Sequence, residues 1–64
     1  MSRFKVGDRI KILPIIDSAF VGLEGEIVEV QLHEKSINTL DRYVVMFAWG
    51  ETKILYDAQL DHAA

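Results

Sequence analysis

The stretch Val21-Gly22-Leu23-Glu24-Gly25-Glu26-Ile27-Val28-Glu29-Val30 sets two of the chain's four glycines three positions apart, directly ahead of a β-branched run. A chain that leaves a long loop and enters a strand must turn sharply. Gly22 can take a positive φ at that point. Gly25, having no Cβ, lets the backbone pass close to a neighbouring strand or a bulge. The pair predicts a corner in a small all-β structure.

The flanking segments supply the other parts. Arg9-Ile10-Lys11-Ile12 alternates polar and apolar residues, as a strand with one wet face does, and Pro14, having no N–H, ends its pairing. Residues 15–23 have loop markers in Asp17, Ser18 and Gly22, yet carry Ile15, Ile16, Ala19, Phe20, Val21 and Leu23. Glu26 to Leu32 resumes strand character, and His33 to Asp41 reads as a long polar hairpin loop. Arg42 to Ala48 is apolar on both faces, Tyr43, Val45 and Phe47 on one and Val44, Met46 and Ala48 on the other. That pattern predicts a central strand covered on both sides. Gly50, within Trp49-Gly50-Glu51, can take positive φ in a tight connection, and Thr52 to Tyr56 returns antiparallel. Asp57-Ala58-Gln59-Leu60 has the composition of one helical turn capped by Asp57, followed by a short tail. The expected fold is a five-stranded small barrel with a long early loop and one terminal 3-10 turn, a single domain over residues 1–64.

Composition narrows the classes of function. A chain of 64 residues buries only about 60% of the surface its unfolded form exposes, and this one has no cysteine to add a disulfide. The same absence removes thiolate metal sites and thiol nucleophiles, and His33 and His62 stand far apart with no ligand pattern beside either. An apolar fraction of 50% exceeds what so small an interior holds, which predicts an apolar face buried on another chain. No apolar run approaches the roughly 20 residues of a membrane helix, and Met1-Ser2-Arg3-Phe4-Lys5 lacks the apolar core of a signal peptide, so a soluble cytoplasmic protein is expected. The formal charge of −3 gives no general attraction to phosphate backbones.

Phe4-Lys5-Val6-Gly7-Asp8-Arg9-Ile10, Gly22-Leu23-Glu24-Gly25-Glu26-Ile27, Tyr43-Val44-Val45-Met46-Phe47 and Asp57-Ala58-Gln59-Leu60 together resemble the successive landmarks of Src-homology-3-like (SH3-like) small barrels. The resemblance covers nearly the whole chain. It is nearest to the variable chain of ferredoxin–thioredoxin reductase and to the E subunit of photosystem I, while KOW-type modules share the Val-Gly-Asp and Gly-x-x-Gly parts. It implies a non-catalytic module that docks on other macromolecules. Relatives that meet acidic ferredoxin or RNA are generally basic and this chain is acidic, so neither partner carries over. Gly7-Asp8-Arg9-Ile10, Gly25-Glu26-Ile27-Val28 and Lys53-Ile54-Leu55-Tyr56 are also similar to type II dihydrofolate reductases, which would imply an NADPH-dependent enzyme. In that family's Val-Gln-Ile-Tyr motif a glutamine engages the ligands; Ile54 stands there in this chain, with neither donor nor acceptor to offer.

No catalytic, cofactor or metal residue is expected. Asp57 and Asp61, four apart near the C-terminus, read as solvated carboxylates, and His33 with Glu34 as exposed loop residues. Gly22-Leu23-Glu24-Gly25 lacks the Lys-Ser/Thr ending of a phosphate loop. Phe4, Tyr43 and Phe47 fit core positions. Trp49 at a hairpin tip and Tyr56 at a strand end are candidate partner contacts, with Ile16, Phe20, Val44 and Met46 as the apolar patch around them. The expected role is a protein-binding or assembly module that forms a homo-oligomer, with Gly22, Gly25 and Gly50 as its structural turns.

Overall fold

A computed structural model describes residues 3–14, 22–35 and 40–63. Five strands make one antiparallel sheet: β1 (Arg9–Ile12), β2 (Glu24–Gln31), β3 (Arg42–Met46), β4 (Thr52–Tyr56) and β5 (Leu60–His62), with a 3-10 turn at Asp57–Gln59 between the last two. The fold is all-β, without an α-helix among the described residues. Strand order is β4-β3-β2-β1-β5.

Residue alternation sets which side of each strand is buried. In β1 Ile10 and Ile12 point inward while Arg9 and Lys11 face water; in β3 Tyr43 and Val45 are buried between exposed or half-buried neighbours. These residues meet Phe4, Ile27, Phe47, Leu55 and Leu60 in one core, with Leu23 and Val30 packed against it. Phe4 approaches Tyr43 edge-on, ring centroids 5.3 Å apart at 84°.

The two glycines of the opening stretch do different work. Gly22 has φ +83° in open space and makes the corner, with its N–H donating to Ile12 C=O at 2.9 Å. Gly25 lies within β2 opposite Ile10, where an added Cβ would sit 2.5 Å from Val45 Cγ1 and 2.9 Å from Met46 O. Its role is the close approach of two strands. Gly50 turns the β3–β4 hairpin at φ +91°, with its N–H donating to Phe47 C=O at 2.9 Å.

β2 is the central strand, in place of the predicted Arg42–Ala48. Its first half pairs with β1 and the whole of it beyond Glu26 with β3, across a register shift between Ile27 and Glu29. A bulge bends a strand, so one long strand serves both halves of the sheet. β2 begins at Glu24 and ends at Gln31, where the sequence predicted Glu26 and Leu32; β3 stops at Met46, short of Ala48. β5 replaces the predicted tail, pairing Ile10 with His62 and Ile12 with Leu60.

The edge strands β4 and β5 are joined by a three-residue turn, which curls the sheet toward itself, yet no ladder joins them among the described residues. The arrangement is compatible with an SH3-like fold open along that seam. The early loop's Ile16 and Phe20 lie outside the described residues. No helix among the described residues is long and apolar enough to cross a membrane.

Candidate partner-binding surface

Register assembles the outer face of the sheet from residues scattered in sequence. Val44 stands opposite Ile54, Arg42 opposite Tyr56 and Met46 opposite Thr52; Glu29, Gln31 and Glu26 flank the same rows from β2. Side chains two apart on a strand share a face, so Val44, Met46, Ile54 and Tyr56 form one apolar group with a polar border. They are open to water: Ile54 is 54% exposed, Tyr56 48% and Met46 40%, with Val44 half-buried. The predicted cover over this side of Arg42–Ala48 is absent among the described residues, and Ala48 is exposed.

Trp49 occupies the hairpin tip, 57% exposed. Its ring stacks on buried Phe47 at 4.9 Å and 6°, and its Nε1–H donates to Glu51 Oε1 at 2.8 Å. One face of the indole therefore covers the core and the other remains in solvent. Because Phe47 points inward, Trp49 belongs to the end of the sheet rather than to the Val44–Ile54 face. The structure brings Val44, Met46 and Tyr56 together and sets Trp49 apart. Ile54, absent from the predicted contact set, joins them through its register with Val44.

At the other end of the β3–β4 pair an open cleft of about 490 Å³ is lined by Gln31, Leu32, His33, Glu34, Leu40, Arg42 and Tyr56. His33, expected to be exposed, is half-buried, and its Nδ1 accepts the Lys35 N–H at 3.2 Å; Glu34 is exposed. The His33 N–H donates to Asp41 Oδ1 at 2.6 Å, and Asp57 N–H to Asp41 C=O at 2.9 Å. Asp41 is buried, with Oδ2 left without a hydrogen-bond partner among the described residues. The sequence places Asp41 in the polar loop; nothing in its local pattern distinguishes a buried carboxylate.

Asp57 corrects two expectations. It follows the cap position, held by Tyr56, and the Gln59 side chain reaches back to accept Tyr56 N–H at 2.8 Å. Nor is its carboxylate solvated: it is 4% exposed, held by Arg3 Nε at 3.1 Å and by the Tyr43 hydroxyl at 3.3 Å. Arg3 also donates to the carbonyls of Asp57 and Leu60 at 3.1 and 2.7 Å, while its guanidinium lies 4.5 Å over the Phe4 ring. Burial, ahead of the nearby carboxylates of Asp57 and Asp41, raises the Tyr43 hydroxyl above its ordinary pKa of 10.0.

The basic residues near the N-terminus do not pool their charge. Arg3 is committed to Asp57. Arg9 lies 3.6 Å from Glu24, and Lys11 is paired in register with Glu24 on one side and Asp61 on the other. No group of three or more potential metal-ligating side chains converges among the described residues. Comparison with protein-family models gives no match, and comparison with curated proteins gives none either.

Proposed function

We propose that the chain is a non-catalytic protein-binding or assembly module built on an SH3-like barrel, and that it self-associates. The observation that carries this reading is the outer β3–β4 face, where register aligns Val44, Met46, Ile54 and Tyr56 and no other described residue covers them. Amphipathic and aliphatic side chains grouped inside a border of Glu26, Glu29 and Arg42 have the make-up of an interface core with a polar rim. The reductase-like alternative is weakened because Ile54, in the ligand-engaging position, belongs to this apolar group. The KOW-like nucleic-acid alternative is weakened because Arg9 and Lys11 are interleaved with Glu24, Glu26 and Asp61.

Light scattering over a dilution series tests the reading. The wild-type mass should exceed that of one chain at high micromolar concentration, and Ile54→Glu should reduce it to one chain by placing a charge within the contact. A mass of one chain throughout removes self-association. Robust NADPH-dependent dihydrofolate reduction by the purified protein removes the non-catalytic assignment.

A further inference from the structure

Two backbone hydrogen bonds fix which way the groups of β4 point. Phe47 N–H donates to Glu51 C=O at 2.9 Å and Asp57 N–H to Asp41 C=O at 2.9 Å. Both pairs continue the β3–β4 register of Val45 with Lys53 and Tyr43 with Leu55. In an antiparallel ladder, pairs that exchange hydrogen bonds alternate with pairs that do not. Lys53 and Leu55 therefore direct their N–H and C=O groups to β3, and Thr52, Ile54 and Tyr56 direct theirs away from it. The Tyr56 N–H confirms this phase, being turned to the Gln59 side chain. β4 is the end strand of the sheet, and among the described residues no backbone group meets the outward N–H and C=O of Thr52 and Ile54. Protected proteins shorten, bulge or cover such an edge. This edge is a five-residue strand without a register shift against β3; its one charge, Lys53, lies on the inner-face row, and its Thr52, Ile54 and Tyr56 side chains are exposed.

We propose that β4 pairs with β4 of a second copy, antiparallel about a two-fold axis through Ile54, to make one continuous sheet across the dimer. This rests on the assembly reading above and names its geometry. Ile54 N–H then donates to Ile54 C=O of the second copy, and reciprocally. Thr52 N–H donates to Tyr56 C=O of the second copy, leaving the Tyr56–Gln59 bond intact. Charge excludes the neighbouring register on the Lys53 side, and the Tyr56 N–H, already turned to Gln59, disfavours the one on the Leu55 side. An axis through Lys53 would set two ammonium groups directly opposite each other in a close, non-hydrogen-bonded pair, whereas the axis through Ile54 sets Lys53 opposite Leu55. The same register continues the outer row as Val44, Ile54, Ile54 and Val44, so the exposed apolar groups of both copies become one strip. A two-fold contact of this kind closes at two chains. A five-residue edge falls short of the roughly 20–30 residues a side of a standard interface, so the dimer dissociates on dilution.

Amide hydrogen exchange at Ile54, followed by NMR from micromolar to millimolar protein, reads the edge directly. The expected result is protection of the Ile54 amide that rises about tenfold or more with the dimer population. If the copies instead meet face to face, the amide stays unprotected while the mass still doubles; that outcome overturns edge pairing and leaves self-association standing. Thr52→Pro supplies a second arm. Its missing N–H points away from β3, a position where proline is tolerated on an edge strand. It should give a folded single chain, while Thr52→Ser remains dimeric. A dimeric Thr52→Pro overturns the proposal, as does a wild type that stays a single chain at millimolar concentration. Should Thr52→Pro not fold, the wild-type exchange decides alone. An added extended peptide that protects the Ile54 amide in place of a second copy also overturns the assignment of the occupant.

Discussion

Arg3 Nε lies 3.1 Å from Asp57 Oδ1, joining residues 54 positions apart in the chain. The carboxylate is buried while the guanidinium keeps part of its surface in water, and the same guanidinium donates to two carbonyls of the terminal turn. Truncating Arg3 leaves Asp57 in the interior with the Tyr43 hydroxyl as its remaining side-chain donor. Arg3→Ala should therefore cost about 2 kcal/mol of unfolding free energy in urea titration. Arg3→Lys should recover less than half, because an ammonium cannot make the forked contacts. An unchanged urea midpoint for Arg3→Ala would mean the ion pair is not holding the turn.

The glycines give an ordered pair of effects. A Cβ at Gly25 meets Val45 and the backbone oxygen of Met46, and backbone cannot swing aside, so Gly25→Ala should lose about 3 kcal/mol. Gly22→Ala has room and meets only the left-handed dihedral, for about 1 kcal/mol. Thermal or urea unfolding of the two variants checks the order; Gly22→Ala as the more damaging would refute it.

Tyr43 makes the fold sensitive to alkali. Its folded pKa is raised by burial above 10.0, so the folded state holds its proton where the unfolded state releases it. The resulting stability is complete below pH 10.0 and is lost as pH rises through the raised value. Tyr43→Phe should lower stability at neutral pH by about 1 kcal/mol, through the lost bond to Asp57, and flatten the decline above that pH. Urea titrations at a series of alkaline pH values measure it. An equally steep decline in the variant would place its origin elsewhere.

Asp41 offers a contrast between two truncations. Its Oδ1 holds the His33 N–H, while Oδ2 is buried without a partner among the described residues. Asp41→Asn keeps the acceptor and buries a neutral amide, which costs less than an unmatched carboxylate. It should equal or exceed wild-type stability, whereas Asp41→Ala should lose about 2 kcal/mol by orphaning the His33 N–H. Denaturant midpoints of the pair decide; an Asn variant weaker than the Ala variant contradicts the assignment.

Alternation is enough to place β1 and β4 at their observed bounds: β1 sets Ile10 and Ile12 against Arg9 and Lys11, and β4 sets Thr52, Ile54 and Tyr56 against Lys53 and Leu55. It misplaces the centre of the sheet. Val44, Met46 and Ala48 look like buried residues, and their exposure depends on what lies over them rather than on their own pattern. β5 has a single buried residue, Leu60, and becomes a strand only by pairing with β1. Asp57 reads as solvated because its partner Arg3 comes from the far end of the sequence. Likewise Val44, Met46 and Tyr56 are legible as an apolar set from strand period, but Ile54 enters through cross-strand register, which no local window contains.

The pairing of β1 with β5 also governs how the molecule assembles in time. Ile10 meets His62 and Ile12 meets Leu60, so β1 gains its second neighbour from β5, a strand far along the chain. The β3–β4 hairpin needs only a short excursion of chain to close, while β1–β5 must bring distant segments together against the entropy of a long loop. The hairpin should form early and the β1–β5 seam late, with overall folding in the millisecond-to-second range of sheets built on non-local contacts. A nascent chain whose β5 is still within the ribosome would thus lack the completed sheet, whatever the other strands had already formed.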